Sequence, residues 1–98
     1  MRVPRQVFEE LVSRALEEVP PAFAPYLANV MIEVEDLPDA RTAAELGLPD
    51  RITLYQMNIQ RICRTPAQLV RQIRKTVLHE IGHHFGLDED DLEDVGYS

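Results

Sequence analysis

The chain has 98 residues, of which 45% are hydrophobic and 28% are charged, so it is long enough for one small hydrophobic core. No apolar run approaches the roughly 20 residues that a membrane-spanning helix needs. The net charge of −7 disfavours nucleic acid as a partner. Cys63 is the only cysteine, which excludes an internal disulfide, and the N-terminus lacks the apolar region of a signal peptide. We therefore expect a single cytoplasmic domain over residues 1–98, with no membrane contact.

The first third of the chain predicts a helix and then a strand. Apolar residues recur at three- and four-residue spacing from Val7 to Val19, which is typical of an amphipathic helix. The pair Pro20 and Pro21 ends it, because proline lacks the backbone N–H that a helix interior uses. Residues 22–27 are compatible with a short helical turn. Apolar and polar residues then alternate over 29–36, which predicts a strand with one buried face.

The middle of the chain predicts a loop and a hairpin. Residues 37–50 contain two prolines, a glycine and several charges, and we interpret them as a loop with one helical turn over 40–46. Two short β-like runs follow, at 51–55 and 58–63, and they predict a hairpin whose turn lacks an Asn-Gly or Asp-Gly signal. The predicted fold class is therefore α+β, with a small sheet of about three strands.

The last long element has the clearest boundaries. Thr65 is a typical N-cap, Pro66 suits the first helical position, and Gln68 completes a capping box. Helical periodicity runs over 67–85, and Gly86 follows, the residue type that ends helices in the left-handed conformation.

This predicted helix carries the motif HExxH as His79, Glu80 and His83. Since each helical residue turns about 100°, the two histidines lie about 40° apart and one turn apart along the axis, where both can bind one Zn²⁺. Glu80 lies about 100° from His79, where it can act as the general base on a zinc-bound water without being a ligand. The apolar residues on the opposite face are Val70, Ile73, Val77, Ile81 and Phe85.

A third zinc ligand is expected just after the helix, because catalytic zinc sites use three protein ligands. Gly86 allows the chain to turn sharply, so a residue three positions later can fold back towards the metal. The register favours Glu89, while its neighbours Asp88 and Asp90 remain alternatives.

Four other residues have chemistry that a site could use, but structural roles suit them better. His84 falls within the apolar arc of the helix, where a hydrogen-bonded, partly buried histidine is expected. Cys63 is predicted to be a small buried hydrophobe. Tyr55 and Tyr97 could assist an oxyanion, although packing is the preferred interpretation.

At this point the chain resembles the mini-zincins, small bacterial proteins expected to be zinc metallopeptidases. The similarity spans residues 48–97 and rests on LPDRITLYQMNIQRIC, RKTVLHEIGHHFG and the acidic DEDDLEDVGY. It implies a reduced zincin fold, with His79, His83 and Glu89 as metal ligands, although the family's third position is usually Asp. It also implies that an edge strand, either residues 58–62 or the strand at Val30, binds an extended peptide substrate.

Two further functions compete with that of a zinc peptidase. One is a non-catalytic zinc-binding or protein-interaction module on the same fold, because a chain this small has little material for a deep cleft. The other is nucleic-acid binding by a basic strip, since five of the ten basic residues lie within 61–75, where there is no acid. The strip consists of Arg61, Arg64, Arg71, Arg74 and Lys75. We expect a peptide or protein substrate, and oligomeric state is not predicted.

Overall fold

A computed structural model describes residues 1–39 and 51–87. Helix α1 spans Arg5–Glu17 and is followed by a 3-10 helix at Pro21–Phe23 and the short helix α2 at Ala24–Leu27. Strand β1 is Met31–Glu35 and strand β2 is Arg51–Tyr55. Helix α3 covers Gln56–Gln60 directly after β2, and the long helix α4 covers Pro66–Phe85.

The two strands pair in parallel, with Met31 opposite Arg51 and Glu35 opposite Tyr55. Ile52 and Leu54 of β2 are buried and alternate with half-buried residues, so the β-like run predicted at 51–55 is confirmed as a strand. In β1 the apolar side chains of Ile32 and Val34 are only half-buried. Helices and a small sheet together agree with the predicted α+β class. Within the described residues, however, the sheet has two strands rather than three.

The predicted hairpin is wrong, because residues 56–60 are helical. The four buried side chains of this region are Gln56, Ile59, Gln60 and Cys63, and their spacing of three, one and three residues is that of a helix face. The predicted hairpin placed Gln56 near its turn and Gln60 in its second strand, and it therefore missed the helix. Residues 58–62 consequently do not form the edge strand that the family resemblance implied.

Hydrogen bonds explain why two glutamines are buried here. Gln56 Nε2 donates to the carbonyl oxygen of Val3 at 2.9 Å, and Gln56 Oε1 accepts from Arg5 Nε at 2.7 Å. Gln60 Oε1 accepts from Gln56 Nε2 at 3.3 Å. Arg5 also donates to the Val34 carbonyl oxygen at 3.0 Å and forms an ion pair with Asp36. These bonds satisfy polar groups that would be costly to bury alone, and they attach the N-terminal segment to β1 and α3.

The core lies between α4 and the elements packed against it. Helix α1 makes an extensive contact with α4, and β2, α2 and α3 also contact α4. The first turn of α1 begins at Pro4, and Phe8 and Ala15 of the same helix are fully buried. The buried residues of α4 are Leu69, Val70, Ile73, Val77, Leu78, Ile81 and Gly82. One continuous apolar cluster therefore packs against the buried face of the long helix.

Helix α4 begins and ends where it was predicted to, but only half of the predicted capping box forms. The Thr65 hydroxyl accepts from the Gln68 N–H at 3.1 Å, while Gln68 Oε1 accepts from the Arg64 N–H, one residue before the position a capping box uses. At the other end Gly86 has φ 67°, in the left-handed region that favours glycine. The Leu87 N–H donates to the Gly82 carbonyl oxygen at 2.8 Å, as in a Schellman motif. None of the described helices is long and apolar enough to cross a membrane.

Candidate functional site

The C-terminal half of α4 carries the predicted motif, and its two histidines lie away from the main apolar face. His79 and His83 are exposed and Glu80 is half-buried. Because α4 is continuous from Pro66 to Phe85, the two histidines are separated by one helical turn of about 5.4 Å along the axis. The two imidazoles thus lie on the same side of the helix and are exposed to solvent.

Glu80 is close to one of the histidines. Its Oε1 lies 3.9 Å from Nδ1 of His83, and the His83 side chain is 79% exposed against 38% for Glu80. The carboxylate therefore lies on the Nδ1 side of the ring. Glu80 is the only acidic residue of α4, so the helix provides one carboxylate beside two imidazoles.

The two imidazoles fit Zn²⁺, for which histidine nitrogen is a common ligand. Within residues 1–39 and 51–87, no three His, Cys, Asp or Glu side chains are grouped so as to hold a metal ion. The predicted third ligand, Glu89, and its alternatives Asp88 and Asp90 lie outside the described residues. The described part of the chain therefore contains two of the three predicted zinc ligands, His79 and His83.

The other candidate residues that the structure describes, His84, Cys63 and Tyr55, are half-buried or buried. His84 is half-buried on the core side of α4, as predicted. Cys63 is 4% exposed, and burial raises the pKa of its thiol, an effect that the positive charge of the Met1 nitrogen opposes. A buried thiol with a raised pKa is a poor nucleophile. The hydroxyl of Tyr55 is buried and has no hydrogen-bond partner among residues 1–39 and 51–87. Tyr97 lies outside the described residues.

One residue of the apolar stripe differs from the prediction. Phe85 is 41% exposed rather than buried, and its ring lies 4.9 Å from that of Tyr26. Tyr26 in turn lies 6.2 Å from the buried Phe23. The helix ends here, so Phe85 extends past the core and packs against α2 from one side only.

The sequence interpretation overlooked that two basic residues share the exposed face of the histidines. Gln68, Arg71 and Lys75 are exposed on α4 at the spacing that leads to His79 and His83. The signal was available, since these residues recur at three- and four-residue intervals along the helix. Arg71 and Lys75, two of the five residues of the basic strip, therefore lie on the histidine face.

Comparison with known proteins agrees with the motif. No functionally curated protein matches the chain. The family model described as zincin-like metallopeptidase matches residues 40–97, which is more than half of the chain and includes the whole of α4. The resemblance to the mini-zincins is thereby confirmed at the level of the family. With its paired histidines on an exposed helix face, the chain belongs to the zincin-like metallopeptidases.

Proposed function

We propose that this protein is a zinc-dependent peptidase in which His79, His83 and Glu89 hold the metal and Glu80 is the general base. The observation that carries the proposal is the exposed pair of imidazoles one turn apart, with the Glu80 carboxylate 3.9 Å from His83. Membership of the zincin-like metallopeptidase family supports peptide bonds as the target.

The histidine pair suits a single metal ion. Oε1 of Glu80 lies 3.9 Å from Nδ1 of His83, so the proposed base and one proposed ligand are close neighbours on the helix. Gly86 and the bond from the Leu87 N–H to the Gly82 carbonyl oxygen end α4 with a turn. The first acidic residue after this turn, Asp88, follows His83 by five residues in the sequence.

The proposed chemistry assigns one role to each group. Bound Zn²⁺ supplies a Lewis acid that acidifies water and polarises a carbonyl group. Glu80 takes a proton from the attacking water on a carboxylate oxygen and then transfers it to the amine that leaves. His79 and His83 hold their positions because the opposite side of the helix is packed into the core, with Val77 and Ile81 fully buried.

Substitution of Glu80 by Gln tests the proposal, since it removes the base while keeping the shape of the side chain. We expect zinc content to be unchanged and cleavage of a broad peptide library to fall by about a hundredfold or more. Cleavage by Glu80→Gln at the wild-type rate, or no cleavage of any peptide by the zinc-loaded wild type, would contradict a peptidase with this base.

Substitution of each tail acid by Ala identifies the third ligand. We expect Glu89→Ala to lower zinc affinity by at least about tenfold, with Asp88→Ala and Asp90→Ala as matched controls that change it less. A larger loss in one of the two controls would reassign the third position to that residue.

A second candidate function is a non-catalytic zinc-binding or protein-interaction module. One observation favours it: His83 is 79% exposed, so the described residues do not enclose it in a cleft. A groove of about 380 Å³ lies instead between α1 and β1, lined by residues that include Val12, Leu16 and Ile32. Equal thermal stabilisation by zinc in wild type and Glu80→Gln, without hydrolysis in either, would select this function.

Two broader predictions remain part of the proposal. Residues 1–98 form one domain, which is supported by a single apolar cluster that joins Phe8 of α1 to Ile81 of α4. A reducing cytoplasmic location is supported by the free, buried Cys63.

A further inference from the structure

The exposed face of α4 continues well beyond the two histidines. Gln68, Arg71, Lys75, His79 and His83 are all exposed, and on a helical wheel they occupy one arc of about 120°. Five of the seven buried residues of the helix occupy the opposite side, whereas Leu78 lies at the edge of this arc and Gly82 lies within it. The candidate zinc site is therefore the C-terminal end of a longer polar stripe on the surface.

The charge on this stripe is positive up to the histidines. Lys75 lies four residues before His79, about 6 Å along the axis, and Arg71 lies about 12 Å before it. Neither side chain has an ion pair within the described part of the chain, whereas Arg74, on another side of α4, lies 3.8 Å from Glu18. Residues 61–79 contain no acid. Two cations without an ion pair among residues 1–39 and 51–87 thus lie on the same face as the candidate site, on a protein whose net charge is −7.

We propose that Lys75 and Arg71 select peptides with acidic side chains near the bond to be cleaved. This proposal rests on the proposed peptidase function, whose substrate class it specifies. An extended peptide advances about 3.3 Å per residue, so side chains about two and four residues from that bond would meet Lys75 and Arg71. Glutamate or aspartate at those positions would pair with the two cations.

An acidic peptide fits this surface better than a polynucleotide. Nucleic-acid binding draws on many phosphate contacts at once, and the stripe offers two cations on a chain with excess negative charge. A peptide with one or two acids needs no more than these two partners. Because both cations are exposed, salt should weaken the preference.

Peptide binding by zinc-loaded Glu80→Gln tests the proposal without requiring hydrolysis. The probe is a fluorescein-labelled decapeptide with Glu at the second and fourth positions on each side of its centre, compared by anisotropy with the same peptide carrying Gln. We expect about fivefold tighter binding of the Glu peptide, the size that two exposed ion pairs provide. Adding Arg71→Gln and Lys75→Gln should reduce the ratio to about one.

The matched control adds Arg61→Gln and Arg64→Gln, which remove the same charge from two exposed residues before α4. This control should still bind the Glu peptide about fivefold more tightly than the Gln peptide. A ratio of one in the parent, no binding of the Glu peptide, or an equal loss in the control would overturn the proposal. Displacement of the peptide by a single-stranded 20-mer DNA at lower concentration than by unlabelled Glu peptide would also overturn it, in favour of nucleic acid.

Wild-type cleavage of the two peptides separates this proposal from the peptidase proposal. A binding preference without cleavage of either peptide would keep acidic-peptide recognition and reject the peptidase. Equal cleavage of the Glu and Gln peptides would keep the peptidase and reject the selection by Lys75 and Arg71.

Discussion

The two faces of helix α4 differ in almost every physical property. On one face Leu69, Ile73, Val77 and Ile81 are fully buried against the rest of the core. On the other, Lys75, His79 and His83 are exposed to solvent. The rigidity of the first face holds the side chains of the second at a fixed spacing. Substitutions on the buried face should therefore change stability, and those on the exposed face should change ligand binding.

The largest effect is expected from Ile73→Ala on the buried face. Ile73 is fully buried, and deleting its side chain leaves a cavity that costs about 2–5 kcal/mol in the free energy of unfolding. Urea denaturation followed by circular dichroism measures this. Lys75→Ala, two residues later on the exposed face, is the matched control and should change stability by less than about 0.5 kcal/mol. Similar losses in both variants would mean that the two faces are not distinct.

Gln56→Ala tests whether the core also depends on its buried amide. The variant removes the partners of Arg5 Nε and of the Val3 carbonyl oxygen, so we expect a loss of about 1–3 kcal/mol in the free energy of unfolding. The exposed Gln6 of α1 provides the control, since Gln6→Ala removes the same group without a buried partner. If the two variants are equally stable, the network around α3 contributes nothing measurable.

Thr65→Ala should have a smaller effect, of about 1 kcal/mol, because it removes the N-cap bond to the Gln68 N–H. Thr65→Ser keeps a hydroxyl at this position and should retain most of the stability. Thermal unfolding of the three proteins provides the measurement. A loss in Thr65→Ser as large as that in Thr65→Ala would show that the threonine methyl group, and not the cap, is responsible.

The smallest change in stability is expected from the double variant His79→Ala, His83→Ala measured in EDTA. Neither histidine is part of the apolar cluster, so we expect the free energy of unfolding to stay within about 0.5 kcal/mol of wild type. A loss above 2 kcal/mol would show that the histidines support the fold itself, and the separation of the two faces would then fail.

The sequence predicted the parts of the fold that depend on local signals. Both ends of helix α4 could be predicted, because the N-cap Thr65, Pro66 in the first turn and the left-handed Gly86 are local signals that begin and end a helix. The region after β2 was predicted wrongly, because the burial of Gln56 and Gln60 depends on Arg5 and Val3, which lie more than 50 residues earlier. No local pattern reports such long-range partners, and none reports that β2 pairs in parallel with β1.

The candidate site also has one part that local sequence predicts and one part that it does not. The exposure of His79 and His83 could be predicted because helical geometry alone places them opposite the apolar stripe. The 3.9 Å approach of Glu80 to His83 depends on side-chain conformation, which spacing does not determine. The role of Glu89 stays a prediction, since this residue lies outside the described part of the chain.

Zinc content measured by elemental analysis tests the central claim most directly. Wild type, His79→Ala and His83→Ala are compared with His84→Ala, which makes the same change at a half-buried histidine of the same helix. After zinc loading and dialysis we expect about one zinc ion per chain in wild type and His84→Ala, and less than about a tenth of that in the other two variants. Equal zinc content in all four proteins would contradict a metal centre on the exposed face of α4.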